Sequence, residues 1–348
     1  MKTSIFALTA FLPLALTMAC QAESSVEGEG EGEVGEGEGE GEGEGEGEGE
    51  VGEGEGEGEV GEGEGEGEGE GDPAPDEQLF QAGLALYDAV DFAGAIVRFD
   101  ELLATFPTSE RHDNAGYLTG RSRYELNDFV GALTALNAML ASHPASPFVD
   151  QAQYFAGRSH FQLGDFAAAV TAFEASITAD PAGLYVDNGS YYVGRSQYED
   201  GDLVGARASL AAFETGFQAS SYLDNGRYYL GRAFFDAQLF DQALPPFSRV
   251  FQTVDSSYAD NAEYYTGRSQ YGLGGNANLN SAIGGFDTVQ ADYPTSQYVD
   301  NSLYYEARSY VDLGDCTNAS AALTLLQAIA GSPEIPRAEA YVAGAGCP

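Results

Sequence analysis

From residue 76 onward, apolar and polar positions follow a helical period that stops and restarts at nearly regular intervals. Phe129, Ala132, Leu136 and Met139 stand at i, i+3, i+7 and i+10, as do Phe166, Ala169, Phe173 and Ser176. That spacing places each set on one buried helical face. A second helix precedes each of these, best seen in the stretch 187–202, where a Gly-Arg pair sits mid-helix. The pair recurs at Gly120-Arg121, Gly157-Arg158, Gly194-Arg195, Gly231-Arg232 and Gly267-Arg268, with Ala307-Arg308 as a last variant. The steps are 37, 37, 37, 36 and 40 residues, the mark of a repeat array in which one helix pair is the unit.

Boundary residues fit this division. Ser109, Ser146, Ser220 and Ser296 are expected to cap the first helices, with Pro147 at a first helical position. An acid follows in each first turn, at Asp113, Asp150, Asp187, Asp224, Asp260 and Asp300, where it favours the positive end of the helix dipole. Gly164, Gly201, Gly274, Gly314 and Asn127 tolerate the left-handed conformation that closes a helix. Asp128, Asp165, Asp202 and Asp315 then cap the second helices, and Pro107, Pro144, Pro181 and Pro294 stop them. Gly120, Gly157, Gly194, Gly231 and Gly267 are expected to face Ala132, Ala169, Ala206, Ala243 and Ala282, so that paired helices approach closely. Two irregularities stand out. Pro245-Pro246 should bend or delay the second helix of the fifth pair, and 274–280 reads as a longer surface loop in the sixth.

Charge changes the picture at the N-terminal side. The chain of 348 residues carries a formal charge of −42. Residues 23–72 are nearly pure Glu-Gly, with 23 acids and no base, so this stretch reads as a solvated, disordered tether of about 40 Å root-mean-square span. Beyond it stand 33 acidic and 13 basic residues, every base an Arg. So acidic a surface argues against nucleic acid and anionic membranes as partners. Before the tether, residues 1–19 read as a secretory signal peptide, with one positive charge, an apolar run too short to span a bilayer, and small residues. Leu16-Thr-Met-Ala-Cys20 resembles a bacterial lipobox, which makes Cys20 the candidate lipidation site. Ordinary cleavage after Ala19 or Ala22 is the alternative. Gln21 after the Cys then implies outer-membrane sorting.

The Gly of the first helix, the Gly-Asp turn, the Ala of the second helix, the aromatic four residues on and the closing Pro together resemble the tetratricopeptide repeat. The likeness covers 76–332. The period is stretched from 34 residues, as in the lipoprotein of the outer-membrane β-barrel assembly machinery and the Tol-Pal-associated cell-division coordinator. The resemblance implies an all-α fold, a right-handed α-solenoid of about seven TPR-like helix pairs. The domains are then signal peptide 1–19, lipidated Cys and tether 20–75, array 76–332, and a C-terminal capping segment 333–348.

In such repeats the first helices line a groove that binds protein or peptide partners. Carried over, the groove stripe is Asn114, Tyr117, Arg121 and Tyr124, then Gln151, Tyr154, Arg158 and Phe161, then Asn188, Tyr191, Arg195 and Tyr198. It continues with Asn225, Tyr228, Arg232 and Phe235, then Asn261, Tyr264, Arg268 and Tyr271, and ends with Asn301, Tyr304, Arg308 and Val311. Tyr and Arg are enriched at binding hot spots, and aligned guanidiniums attract carboxylates. The competing reading is internal: each Arg pairs with an Asp at the start of a neighbouring helix, and the Tyr rings pack between repeats. The function expected is a membrane-tethered protein- or peptide-binding scaffold of the bacterial cell envelope, on the periplasmic or the surface side. An acidic structural spacer is the alternative. A Glu run folding back into the Arg-lined groove is a further possibility.

Cys316 and Cys347 are the remaining cysteines. An exported, oxidising compartment permits a disulfide between them, worth about 3–4 kcal/mol. Two free thiols, with Cys316 filling an apolar site, is the alternative. Catalysis finds no support. His112, His143 and His160 do not recur and show no metal-ligand spacing. Ser122, Ser159, Ser196 and Ser269 recur with the repeat, which suits packing better than a single nucleophile. No enzyme, cofactor or metal is expected.

Overall fold

A computed structural model describes residues 73–251 and 256–347. The signal peptide, Cys20 and the Glu-Gly stretch lie outside the described residues. The described residues form fifteen helices and no strand. The pairs are α1 Pro75–Asp88 with α2 Phe92–Thr105, α3 His112–Glu125 with α4 Phe129–Ser142, and α5 Val149–Gln162 with α6 Phe166–Ala179. Then come α7 Val186–Glu199 with α8 Leu203–Gly216, α9 Leu223–Asp236 with α10 Phe240–Phe251, and α11 Ala259–Leu273 with α12 Gly275–Asp292. The seventh pair is α13 Val299–Asp312 with α14 Cys316–Gln327, and α15 Ile335–Gly344 follows. Each helix packs on the next in the chain. First helices also touch first helices, α3 on α5, α7 on α9, α9 on α11 and α11 on α13, while no two second helices pack so closely. The first helices are thus the more tightly stacked layer.

Helix ends follow the sequence in part. Asp128, Asp202 and Asp315 cap second helices by accepting the backbone N–H of Gly131, Gly205 and Asn318, and Asp91 does the same for Gly94. Asp165 sits at the cap position without a cap bond; its carboxylate lies 3.4 Å from His160 instead. The left-handed closures fall at Gly164, Gly201, Gly274, Gly314 and Asn127, and also at Val90 and Gln238, where no glycine or asparagine announces them.

The serine caps are corrected. First helices begin three residues after Ser109, Ser146, Ser220 and Ser296, so Pro147 lies in a turn and not at a first helical position. Each serine oxygen instead accepts the backbone N–H two residues on, tightening that turn. The hydroxyls reach back across a repeat boundary: Ser109 donates to Asp76 at 2.6 Å, Ser146 to Asp113 at 2.7 Å, and Ser332 to Asp300 at 2.9 Å. The first-turn acids therefore serve the dipole and link consecutive repeats.

The glycines are corrected as well. A Cβ on Gly120 would stand 2.5 Å from Leu136, on Gly157 2.7 Å from Phe173, on Gly194 2.6 Å from Leu210, on Gly231 2.5 Å from Phe247 and on Gly267 2.6 Å from Phe286. The glycine faces the large residue of the second helix, not the alanine four positions earlier. Those large side chains are wholly buried, each worth about 1.5–3 kcal/mol of burial. The missing Cβ makes the space they fill.

The expected loop at 274–280 is helix. Only Gly274 separates α11 from α12, and the extra residues lengthen α12 to 18. Gly274 in the left-handed conformation closes α11, and α12 starts directly after it, against the weak helix preference of its Gly and Asn residues. α10 runs through Pro245 and Pro246 to Phe251, and Pro246 and Phe247 are buried within it. The prolines lie in its second turn, and packing against α9 and α11 holds the helix together despite the lost N–H groups. At the C-terminal end, Cys316 is disulfide-bonded to Cys347 across 31 residues, tying the chain after α15 to the start of α14.

Candidate functional site

The expected groove residues do lie along the first-helix layer, but they are largely internal. Tyr154, Tyr191, Tyr228 and Tyr264 are among the largest fully buried side chains, and Tyr117 and Tyr304 are buried too. All but Tyr304 stack on an aromatic in the turn before the next first helix: Tyr154 on Tyr185 at 4.2 Å, Tyr191 on Tyr222 at 4.9 Å, Tyr228 on Tyr258 at 4.7 Å, Tyr264 on Tyr298 at 4.4 Å, and Tyr117 on Phe148 at 5.6 Å. Helical spacing then brings the hydroxyl under the Arg one turn later. Arg158, Arg195, Arg232, Arg268 and Arg308 each donate to the Tyr four residues before, at 2.8–3.2 Å.

Every one of these guanidiniums is held between rings of the neighbouring repeats. Arg158 lies 5.6 Å from the centre of Tyr124 behind it and 4.6 Å from Tyr192 ahead. Arg195 lies between Phe161 at 5.4 Å and Tyr229 at 4.0 Å, and Arg232 between Tyr198 at 5.8 Å and Tyr265 at 4.2 Å. Arg268 lies between Phe235 at 5.3 Å and Tyr305 at 3.9 Å, and Arg121 between Tyr87 at 5.6 Å and Phe155 at 5.0 Å. Arg308 ends the series between Tyr271 at 5.2 Å and Tyr341 of α15 at 4.6 Å, so the last helix supplies the ring that an eighth repeat would. A desolvated cation on a ring face is worth up to about 2 kcal/mol, which makes the ladder a major bond between repeats.

The partners of the arginines differ from the expected ones. The first-turn acids stand at the far end of each helix, where Asp113 and Asp300 are linked to the serines described above. Three of the arginines meet acids one turn on: Arg195 to Glu199 at 3.0 Å, Arg121 to Glu125 at 3.8 Å and Arg232 to Asp236 at 3.9 Å. Asp236 also accepts the Tyr198 hydroxyl at 2.6 Å, and Asp312 those of Tyr271 at 2.8 Å and Tyr341 at 2.7 Å. This row of carboxylates, with the edges of the guanidiniums and the half-buried Asn114, Asn188, Asn225, Asn261 and Asn301, is what the layer presents to solvent.

Burial pushes the phenols of Tyr192, Tyr229 and Tyr265 well above their ordinary range, against the pull of the facing arginines, and raises Tyr124 to about 12. The rings therefore stay neutral, and the ladder does not titrate near neutral pH. Phe155, Tyr192, Tyr229, Tyr265 and Tyr305, three residues before each Arg, were not read as part of the stripe. Their recurrence at the repeat period was the signal for them.

The helix pairs, the small residue in each first helix and the large residue it admits in the second have their counterpart among known proteins. A tetratricopeptide repeat profile matches residues 80–147 and 117–183. Over residues 80–183 the chain is thus similar to the tetratricopeptide repeat. Among solved structures, the C-terminal part of a tetratricopeptide-repeat protein from Cytophaga hutchinsonii overlays with a TM-score of 0.60 at 16% identity, covering 74% of this chain and 98% of that one. A tetratricopeptide-repeat protein from Parabacteroides merdae overlays with a TM-score of 0.49 at 11% identity, covering 77% and 98%. At such identities the likeness concerns the fold alone. No curated protein matches the chain.

Tetratricopeptide arrays are in general protein-interaction scaffolds without catalytic chemistry of their own. Among the described residues no group of three or more His, Cys, Asp or Glu is placed to hold a metal ion. His112 and His143 meet at 2.9 Å, a pairing that their separation of 31 residues did not reveal. Ser122, Ser159, Ser196 and Ser269 are fully buried, and Ser159 and Ser269 donate to carbonyls of their own helices.

Proposed function

We propose that the array binds a protein or peptide partner along the solvent edge of its first-helix layer, as an envelope scaffold held to a membrane through a lipid on Cys20. One observation carries this reading. In the second, fourth and fifth pairs the ladder leaves the same polar edge, a guanidinium rim beside a carboxylate, at Arg121 with Glu125, Arg195 with Glu199 and Arg232 with Asp236. An extended segment laid across the repeats would meet this donor–acceptor pattern at those three units. The signal-like residues 1–19, the lipobox-like Leu16–Cys20 and Gln21 support export and outer-membrane anchoring. The likeness to the β-barrel assembly lipoprotein and the Tol-Pal coordinator belongs to the same proposal. The spacer reading is favoured by a different fact: the Arg and Tyr side chains are already engaged within the protein.

Charge reversal of the arginines would damage the fold and is a poor test. The carboxylates are the better handle, since Glu125 and Glu199 are about one-third exposed. A photo-crosslinker at Gln162 on the first-helix layer, compared with one at Thr171 on the second, should capture a defined partner in the native cells only from the former. Glu125→Lys with Glu199→Lys should abolish that capture with helicity intact. Absence of any specific product from the first-helix position favours the spacer.

A further inference from the structure

The second helix pair is closed at its mouth by two imidazoles. His112 is the first residue of α3 and His143 caps the end of α4. Nδ1 of His112 lies 2.9 Å from Nε2 of His143, and both rings are half-buried. Their centres are 5.1 Å apart, about that gap plus the radius of each ring. The two nitrogens therefore lie close to the line joining the rings and point at one another. A metal ion on that line would sit closer to both than the about 2.0–2.1 Å of a His–metal bond. The gap holds one hydrogen. The chain has three His in all, so no other pair is closed this way. In the fourth pair the same two positions hold Val186 and Phe217, and in the sixth Ala259 and Tyr293. Those side chains gain no charge between about pH 5 and 8.

One hydrogen between two nitrogens limits the charge the pair can carry. With both rings neutral, or one protonated, a donor faces an acceptor. With both protonated, N–H faces N–H and two cations stand in contact. The pair takes up its protons in two steps, and the helix ends order them. His143, at the C-terminal end of α4, is favoured as the cation; His112, at the N-terminal end of α3, is not. Burial, then the His143 charge, lower the pKa of His112.

The surrounding charges do not offset this. The Leu103 carbonyl of α2 and Asp113 of α3 pull the other way, but less, and Asp113 is already bonded to Ser146 at 2.7 Å. Asp100 of α2 turns to Arg123, near the far end of α3. From α1, Glu77 pairs with Arg111 and Asp76 accepts from Ser109. Glu110 is exposed, and Asp150 of α5 stands beside Gly183 of the next repeat boundary. We infer that His112 and His143 form an acid-sensitive latch: their one hydrogen bond ties the start of α3 to the end of α4 at neutral pH, and double protonation releases it. The opened chain takes up the second proton as pH falls through about 6.5, the closed pair only at lower pH, so closure weakens below about pH 6.5. The sense is opposite to that of Glu263 and Glu306 in the last repeats, which burial raises to about 7.

The test is hydrogen exchange of the full chain, resolved by peptide and compared at equal intrinsic rate at about pH 7.5 and about pH 5. Peptides covering the first turn of α3, the last turn of α4 and the turn 143–148 should lose about tenfold in protection at the lower pH, while those of α7 and α8 keep theirs. His143→Gln keeps a group that can donate to His112 or accept from it and adds no charge, so protection should hold constant across the interval. His143→Phe, which installs the residue of the fourth pair, should be equally insensitive and guards against misfolding of the first variant. Unchanged protection of the α3–α4 junction in the natural chain, an equal loss in α7 and α8, or a loss that persists in both variants overturns the latch.

Discussion

The guanidinium of Arg268 lies 3.9 Å from the centre of the Tyr305 ring, a residue of the next repeat, while its own Nη1 donates to Tyr264 at 2.8 Å. One side chain thus joins two repeats and satisfies a buried phenol. Replacing the equivalent Arg232 by Ala removes the ring contact and leaves the Tyr228 hydroxyl without its donor. The expected loss is about 2–4 kcal/mol, measured by urea denaturation. Arg232→Lys should recover only part of it, because an ammonium cannot stack flat on Tyr265 while donating to Tyr228.

The glycines divide into two kinds that the same measurement separates. Gly194→Ala places a methyl 2.6 Å from Leu210 and should cost about 1–3 kcal/mol. Gly284→Ala meets nothing within 4 Å on the exposed side of α12 and should stabilise by up to about 1 kcal/mol. A destabilised Gly284→Ala would contradict the open environment described for it.

Two carboxyls in the last repeats should make stability depend on pH. Burial raises Glu306 to about 7; Gln290 at 2.7 Å opposes this and Asp287 adds to it. Glu263 is likewise raised to about 7 by burial and by Asp292. Tyr293 and Tyr310 also face these acids and remain neutral in this range, burial holding both phenols above their usual value. An acid with a raised folded pKa keeps its proton in the folded state and loses it on unfolding. Stability should therefore fall as pH rises from about 4.5 to about 7 and then level off, by at most about 3 kcal/mol for each carboxyl and less where solvent screens it. Glu306→Gln should flatten much of this slope in thermal melts taken between pH 4.5 and 8.

The disulfide closes a segment of 31 residues and should contribute about 3–4 kcal/mol locally. Because repeats contact only their neighbours, Cys347→Ser should loosen α14 and α15 and leave the earlier repeats protected. Hydrogen exchange resolved by peptide will show that gradient; uniform loss of protection along the array would contradict it. With α15 freed, Arg308 loses the Tyr341 ring at 4.6 Å.

The repeat period, the two helices per unit and the caps at Asp128, Asp202 and Asp315 could be read directly from the chain. Such features depend on residues within a few positions of one another, where propensity and periodicity act. Helix ends were harder to place. Val90 and Gln238 close helices in the left-handed conformation against their own preference, and neither residue type signals it. Residues 274–280, rich in Gly and Asn, read as a loop, but helical neighbours recruited them into α12.

Sequence alone settled that Arg and Tyr recur on one face of every first helix. What they do there was decided by the distance between successive repeats, which no spacing along the chain encodes. The stacking is close enough for each guanidinium to enter the gap between a ring behind and a ring ahead, so a row of candidate contact residues became the seam of the array. The same spacing decided that Gly120 admits Leu136 and not Ala132, and that Gly116 lets α3 close on Met139 of α4. Local pattern specifies the elements; the separation at which they pack specifies which side chains are consumed inside and which remain for a partner.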